Sequence, residues 1–139
     1  MTNQIQLTVI IPVYNRASLV KRTLESVEQQ TLRPLRVILV DNNSTDSSLA
    51  TLRQWKAINE QPDFLIDVLT ENRPGAAAAR NRALAETTSE FVMFFDSDDT
   101  MAPDHCARAL AALTSPRQPD LVGWDINMLL LNGATVRKP

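Results

Sequence analysis

Leu7-Thr8-Val9-Ile10-Ile11, closed by Pro12-Val13-Tyr14-Asn15, is the stretch on which the fold turns. The run is short, rich in β-branched residues and almost wholly apolar, and a proline stops it, so it reads as a strand buried on both faces. A strand covered on both sides belongs to a parallel sheet flanked by helices. The same signature returns at Val37-Ile38-Leu39-Val40 and at Phe91-Val92-Met93-Phe94-Phe95. A weaker copy lies at 64–69, where Asp67 interrupts the apolar run and predicts an edge position. Between these runs the period changes from two to 3.6. Leu19, Val20, Leu24 and Val27 make a stripe that predicts a helix over 17–30, with Ser18 available as its cap. Leu49, Leu52, Trp55 and Ile58 give a second helix its inner face, entered through the turn and capping chemistry of Asn42-Asn43-Ser44-Thr45-Asp46. An alanine-rich helix over 76–86 follows Asn72-Arg73-Pro74-Gly75, and a further helix is predicted over 102–113 with Pro103 near its start. Leu121 to Leu131 reads as extended, up to a hairpin-type turn at Asn132-Gly133. Four alternations of strand and helix, joined by connections too long for hairpins, specify a doubly wound, mainly parallel α/β sheet with helices on both faces and right-handed crossovers. One domain over 1–139 is expected.

The composition removes several classes of function. The 139 residues carry 16 acids against 14 bases, and 44% are hydrophobic. That apolar fraction is ordinary for a globular domain and excludes a disordered tail or a fibre. A formal net charge of -2 argues against a partner chosen by bulk phosphate attraction, so no nucleic acid partner is expected. Cys106 is alone, which rules out an intrachain disulfide or a cysteine-rich zinc cluster and leaves inert packing as its role. No segment reaches the roughly 18 consecutive apolar residues of a membrane-spanning helix, and residues 1–13 do not read as a secretion signal. The expected location is cytoplasmic, or at the cytoplasmic face of a membrane.

In doubly wound sheets ligands bind outside the carboxyl ends of the strands. Those ends here carry Pro12 to Asn15, Asp41 to Asn43, Arg73 to Gly75 and Asp96 to Asp99. Topology thus gathers the polar residues on one edge. Neither G-x-G-x-x-G nor G-x-x-x-x-G-K occurs, so the glycine machinery of dinucleotide and P-loop sites is absent. His105 is the lone histidine and reads as a solvated helix residue, which leaves no Ser-His-Asp set. Asp96-Ser97-Asp98-Asp99, directly after a buried strand, is the sharpest feature. In an extended segment Asp96 and Asp98 face one way and Asp99 the other. Such hard carboxylate oxygens suit magnesium or manganese shared with a diphosphate; the plain alternative is that the acids end a strand and cap the next helix. Asp41 at the end of the second strand suits the imide N–H of uracil or the N1–H of guanine, with Asn42 or Asn43 orienting it, or else it satisfies loop amides. Arg80, one turn into the third helix, can meet a phosphate or hold Asp41 or Asp98. Arg82 projects to another face and reads as solvated.

Taken in order, Pro12-Val13-Tyr14-Asn15, Asp41-Asn42-Asn43-Ser44-Thr45-Asp46, Gly75 through Ala79-Arg80-Asn81, and Phe95-Asp96-Ser97-Asp98-Asp99 resemble the family 2 glycosyltransferases of the GT-A fold over residues 7–124. The resemblance implies an inverting transferase that takes a nucleotide-diphosphate sugar, a UDP-sugar by preference, and a divalent Mn2+ or Mg2+. It implies that Pro12, Val13, Tyr14 and Asn15 line the base and that Asp41, with Asn43, bonds it. Arg80 and the helix start at Gly75 would support the diphosphate, Asp96 and Ser97 would contact the ribose or the metal sphere, and Asp98 would be the principal metal ligand. The acceptor is a glycan, lipid or protein hydroxyl of unspecified identity. In this family the catalytic base usually lies well after the D-x-D block, and Asp125 is the sole internal candidate. The resemblance further implies a truncated chain, lacking the acceptor-binding portion and inactive alone, with apolar surface around Met128 to Leu131 exposed for self-association. Two other readings are a non-catalytic nucleotide-sugar-binding module and a phosphoacceptor domain built on Asp41 and Asp46.

Overall fold

The computed structural model describes residues 4–124, 126–129 and 135–138. Strand β1 (Leu7–Val13) leads through α1 (Val20–Glu28) to β2 (Leu35–Asp41), through α2 (Ser48–Asn59) to β3 (Phe64–Thr70), and through α3 (Ala76–Glu86) to β4 (Phe91–Phe94). Helix α4 (His105–Leu113) follows, then an antiparallel pair, β5 (Ile126–Leu129) and β6 (Thr135–Lys138). The first four strands form one all-parallel sheet in the order β3-β2-β1-β4. β3 is an edge strand as Asp67 indicated, and Arg36 on the neighbouring strand pairs with that carboxylate at 2.7 Å.

Alternation along β1 divides the core in two. Leu7, Val9, Ile11 and Val13 join α1, α2 and α4 through Val20, Leu24, Val27, Leu52 and Cys106, whereas Ile10 joins Ile38 and Val40 under Ala79 and Ala83 of α3. Handedness explains the split. The chain steps β1 to β2 to β3 in one direction, so right-handed crossovers put α1 and α2 on one face; the return from β3 to β4 runs the other way and sends α3 to the opposite face. The direction reverses between β1 and β4, and that reversal opens a crevice beyond their carboxyl ends. The small side chains of α3 let it lie close over β1 and β2.

Several expected boundaries shift. Helix α1 begins at Val20, Leu19 takes the capping position with no side chain capping it, and Ser18 does not cap. The preceding residues instead form a turn in which Arg16 O accepts from the N–H groups of Leu19 and Val20. Helix α4 begins at His105, three residues later than expected; ahead of it Ala102 O accepts from His105 N–H and Gln30 Nε2, and Pro103 O accepts from Thr31 N–H, so residues 102–104 form a turn tied to the end of α1. Ile58 is exposed, so α2 buries Leu52 fully and Trp55 in part. Cys106 is buried, and burial pushes its thiol up to about 12, which suits an inert packing role. Asn132-Gly133, Asp125 and the apolar side chains of 128–131 lie outside the described residues. Among the described residues no helix is long and apolar enough to cross a membrane.

Candidate functional site

A cleft of about 250 Å³ opens at the carboxyl edge of the sheet. The end of β1 and the loop after it contribute Pro12, Val13, Tyr14 and Arg16; the end of β2 contributes Asn42; α3 contributes Ala76 and Arg80; the turn after β4 contributes Asp96, Ser97 and Asp98. All four strand-end blocks therefore surround one space, or frame it directly. Tyr14 is more than half exposed and offers an aromatic face at the rim.

Two ion pairs cross the cleft. Arg80 Nη2 donates to Asp96 Oδ1 at 2.9 Å, and Arg16 Nη2 stands 3.7 Å from Asp98 Oδ2. Arg80 holds Asp96, not Asp41 or Asp98; its guanidinium sits 5.9 Å over the ring of Phe94, and its Nε is buried without a partner. Arg82 pairs with Glu86 one turn on, away from the cleft. The acidic segment is a turn, not an extended run: Asp99 N–H reaches back toward Asp96 O at 3.4 Å. Asp96 and Asp98 nevertheless both line the cleft, while Asp99 does not. The Asp99 carbonyl accepts from Thr23 of α1, and partial burial, with the adjoining charges of Asp98 and Asp96, raises the pKa of its carboxyl. The reason is that closing a turn on the acids faces 96 and 98 inward as alternation would, but by a different backbone.

The remaining predicted residues frame the cleft and do not line it. Asn15 has a left-handed backbone (φ 47°), and its Oδ1 accepts from Thr45 N at 2.7 Å. Asn43 is also left-handed (φ 63°) and donates to Asn72 O. Gly75 has φ 109°, a conformation that L side chains rarely adopt, and this is why glycine starts α3. Its N–H donates to Asn42 Oδ1 at 2.8 Å. Asn42 is 5% exposed and also donates to the carbonyls of Glu71 and Arg73 at 2.8 and 2.7 Å. One buried amide thus sets the β3–α3 loop, and with it the N–H groups that open α3 toward the cleft. Asp41 is 4% exposed; Oδ2 accepts from Ser44 N at 3.2 Å, while Oδ1 is buried with no partner. Asp46 uses Oδ1 for Ser48 N and Oδ2 for Ala17 N, and these bonds, Ser48's above all, lower its carboxyl; it staples the β2–α2 loop to the β1–α1 loop.

Arg16 and Ala76 line the cleft without having stood out in the sequence. The signal for Arg16 was its position, a cation two residues past Tyr14 at the end of the central strand. His105 also departs from expectation. It is half-buried, 4.5 Å from Trp124 and 6.5 Å from Phe95, with Nε2 buried and unpartnered; burial lowers its pKa.

Among the described residues no three His, Cys, Asp or Glu side chains form a complete cage. Two exposed carboxylates beside two arginines fit a hard cation that keeps waters and completes its sphere on a ligand's phosphates.

The glycosyl transferase family 2 model matches residues 8–124. The chain belongs to this family. It is 35% identical over 105 residues to the poly(ribitol-phosphate) beta-glucosyltransferase of Bacillus spizizenii, covering 74% of this chain and 16% of that one. The mannosyltransferase PcManGT of Pyrobaculum calidifontis, solved with GDP-Man and Mn2+, superposes with a TM-score of 0.74 at 34% identity over 83% of this chain and 34% of its own. TarS residues 1–349 of S. aureus, solved with UDP, gives 0.70 at 27% identity over 78% and 32%. The chain spans well under half the length of these relatives. Their shared architecture identifies the sheet as that of GT-A glycosyltransferases.

Proposed function

We propose that this family 2 chain is the nucleotide-sugar-binding portion of an inverting glycosyltransferase, which passes a sugar from a nucleotide diphosphate, UDP by preference, to an acceptor hydroxyl on a glycan, lipid or protein. The observation that carries the reading is the crevice between β1 and β4, where Asp96 and Asp98 stand opposite Arg80 and Arg16. Carboxylates suit a divalent cation and guanidinium groups suit phosphate oxygens, so one cleft offers both halves of a metal-diphosphate site.

Each residue then has a task. Tyr14, with Pro12 and Val13, forms an apolar wall for the base. Asp41 Oδ1 is a buried acceptor without a donor, which costs free energy until an imide N–H supplies one. Asn15, Asn43 and Gly75 shape the loops around it, and Asn42 fixes the start of α3. Arg80 turns toward the diphosphate, while Asp96 and Ser97 stand beside the ribose. Asp98, with Asp96, would hold Mn2+ or Mg2+; when bound, such an ion stabilises negative charge on the departing diphosphate. The relatives solved with GDP-Man and Mn2+ and with UDP support both the ligand class and the ion. Proton removal from the acceptor belongs to a base on the opposite face, and Asp125 is the candidate within this sequence.

Calorimetric titration with UDP and GDP, with Mn2+ and after full chelation, tests the reading. UDP should bind at least as tightly as GDP, and chelation should weaken both. Affinity unchanged by chelation would remove Asp98 from the role of metal ligand.

A further inference from the structure

The charges lining the cleft balance only because of Arg16. Without it, two carboxylates face one guanidinium, and a diphosphate would meet net repulsion. The two arginines are held differently. Arg80 grips Asp96 at 2.9 Å and is two-thirds buried, whereas Arg16 stands 3.7 Å from Asp98 with both side chains nearly half exposed. An exposed, long pair of this kind is weak and easily exchanged.

The backbone under Arg16 is the opposite of loose. Arg16 N–H donates to Ser48 Oγ at 2.9 Å, and Arg16 O accepts from Leu19 and Val20 at 2.9 and 2.8 Å. On either side, Asn15 N–H donates to Ser44 Oγ and Ala17 N–H to Asp46 Oδ2. The β1–α1 loop is stapled to the β2–α2 loop at every residue from 15 to 17, so a free-ended cation is presented on a fixed base. Among the described residues its one acidic partner is Asp98.

We propose that Arg16 is an exchangeable counter-ion of the site: it neutralises Asp98 in the ligand-free protein, and when a divalent cation takes Asp98 its guanidinium moves to the diphosphate oxygens. This rests on the nucleotide-diphosphate reading above and adds a positioning and binding role for a residue of the β1–α1 loop. Such an exchange makes Arg16 a competitor of the metal and a partner of the diphosphate, so its removal should act on the two ligands with opposite sign.

The experiment is calorimetry on the full chain and on Arg16→Gln, titrating MnCl2 alone, then UDP at saturating Mn2+, then uridine. Arg16→Gln should bind Mn2+ alone about two- to fivefold more tightly, the span of an exposed ion pair. It should bind UDP about tenfold more weakly, the lower range for a charge-assisted hydrogen bond, and uridine equally well. Arg16→Lys, which keeps the charge but not the fork, should recover the Mn2+ affinity and only part of the UDP affinity. Arg22→Gln, exposed on α1 outside the cleft, controls for bulk charge and should change neither. Thermal melts check that the variants fold. Both ligands unchanged, both shifted in one direction, or Arg22→Gln reproducing the pattern would overturn the inference while leaving the parent reading intact. A wild-type chain that binds neither Mn2+ nor UDP overturns both.

Discussion

The loop after β2 and the turn after β4 are built from the same residue types, yet they do opposite things. In Asp41-Asn42-Asn43-Ser44-Thr45-Asp46 the side chains of Asp41 and Asn42 are buried, and nearly every polar atom is spent within the protein: on Gly75 N, on the carbonyls of Glu71 and Arg73, on the amides of Ser44 and Ser48. In Asp96-Ser97-Asp98-Asp99 the three aspartates are exposed, and among the described residues the carboxylates of Asp96 and Asp98 meet arginines across the cleft. The first loop frames the cleft, and the second carries the groups proposed to meet a ligand. Burial with satisfied hydrogen bonds marks scaffold; exposure with replaceable ion pairs marks a binding group. The exception within the scaffold loop, Asp41 Oδ1, is the atom proposed to meet the base.

The contrast breaks most visibly at Asn42. Asn42→Ala removes a buried amide and strands the buried Glu71 carbonyl together with the half-covered Arg73 carbonyl and Gly75 N–H, so stability should fall by about 3 kcal/mol, read as a fall of roughly 10 °C in the thermal midpoint. A loss below 1 kcal/mol would mean that the clip is not what sets the β3–α3 loop. At the other pole, Asp98→Asn should leave the thermal midpoint within a degree or two and weaken Mn2+-assisted UDP binding about tenfold, the scale of a charge-assisted contact. Asp99→Asn should weaken it much less, since Asp99 does not line the cleft. Equal losses would dissolve the distinction between the inward-facing acids and their neighbour.

Gly75→Ala sharpens the scaffold side. A Cβ there meets nothing within 4 Å, so the whole cost is the backbone conformation at φ 109°. It should be about 2 kcal/mol, visible in urea melts. The smallest effect concerns acid. The Arg73 side chain donates to Glu71 and holds its carboxyl at about 2, below the ordinary 4.5. A depressed carboxyl stabilises the fold at pH values above 4.5, and that contribution is lost as pH falls toward 2. Glu71→Gln should therefore lower stability slightly at neutrality and flatten its pH dependence between about 4.5 and 2, so that the variant and the parent chain converge near pH 2; an unchanged slope would show the pair to be solvent-screened.

How much of this is legible in the sequence varies by residue. The strands were legible because runs such as Val37 to Val40 are apolar at every position, a pattern that only a doubly covered strand explains. Helix starts were less so: Ser18 looks like a cap, but Arg16 O is claimed by a turn that no local propensity announces. The acidic segment, expected to be extended, is a turn, and Asp96 and Asp98 still share the cleft because turn and strand both bring residues two apart to one side. Arg16 was missed because a lone arginine in a polar loop carries no periodicity. Its significance comes from Asp98, 82 residues away in the chain and 3.7 Å away in space.

The sequence alone determined the sheet, its parallel sense, the two-faced layering and the edge at which the polar blocks collect, since all of these follow from local apolar patterning and the handedness of crossovers. Only the tertiary structure decided which polar residues are scaffold and which are site. Asp41 and Asp98 are the same amino acid at the ends of two buried strands; one is 4% exposed with an oxygen tied to its own loop, and the other stands open opposite an arginine. Nothing within a few residues of either distinguishes them. The difference arises from what the fold packs over each carboxylate, and that depends on contacts between segments that only the closed sheet brings together.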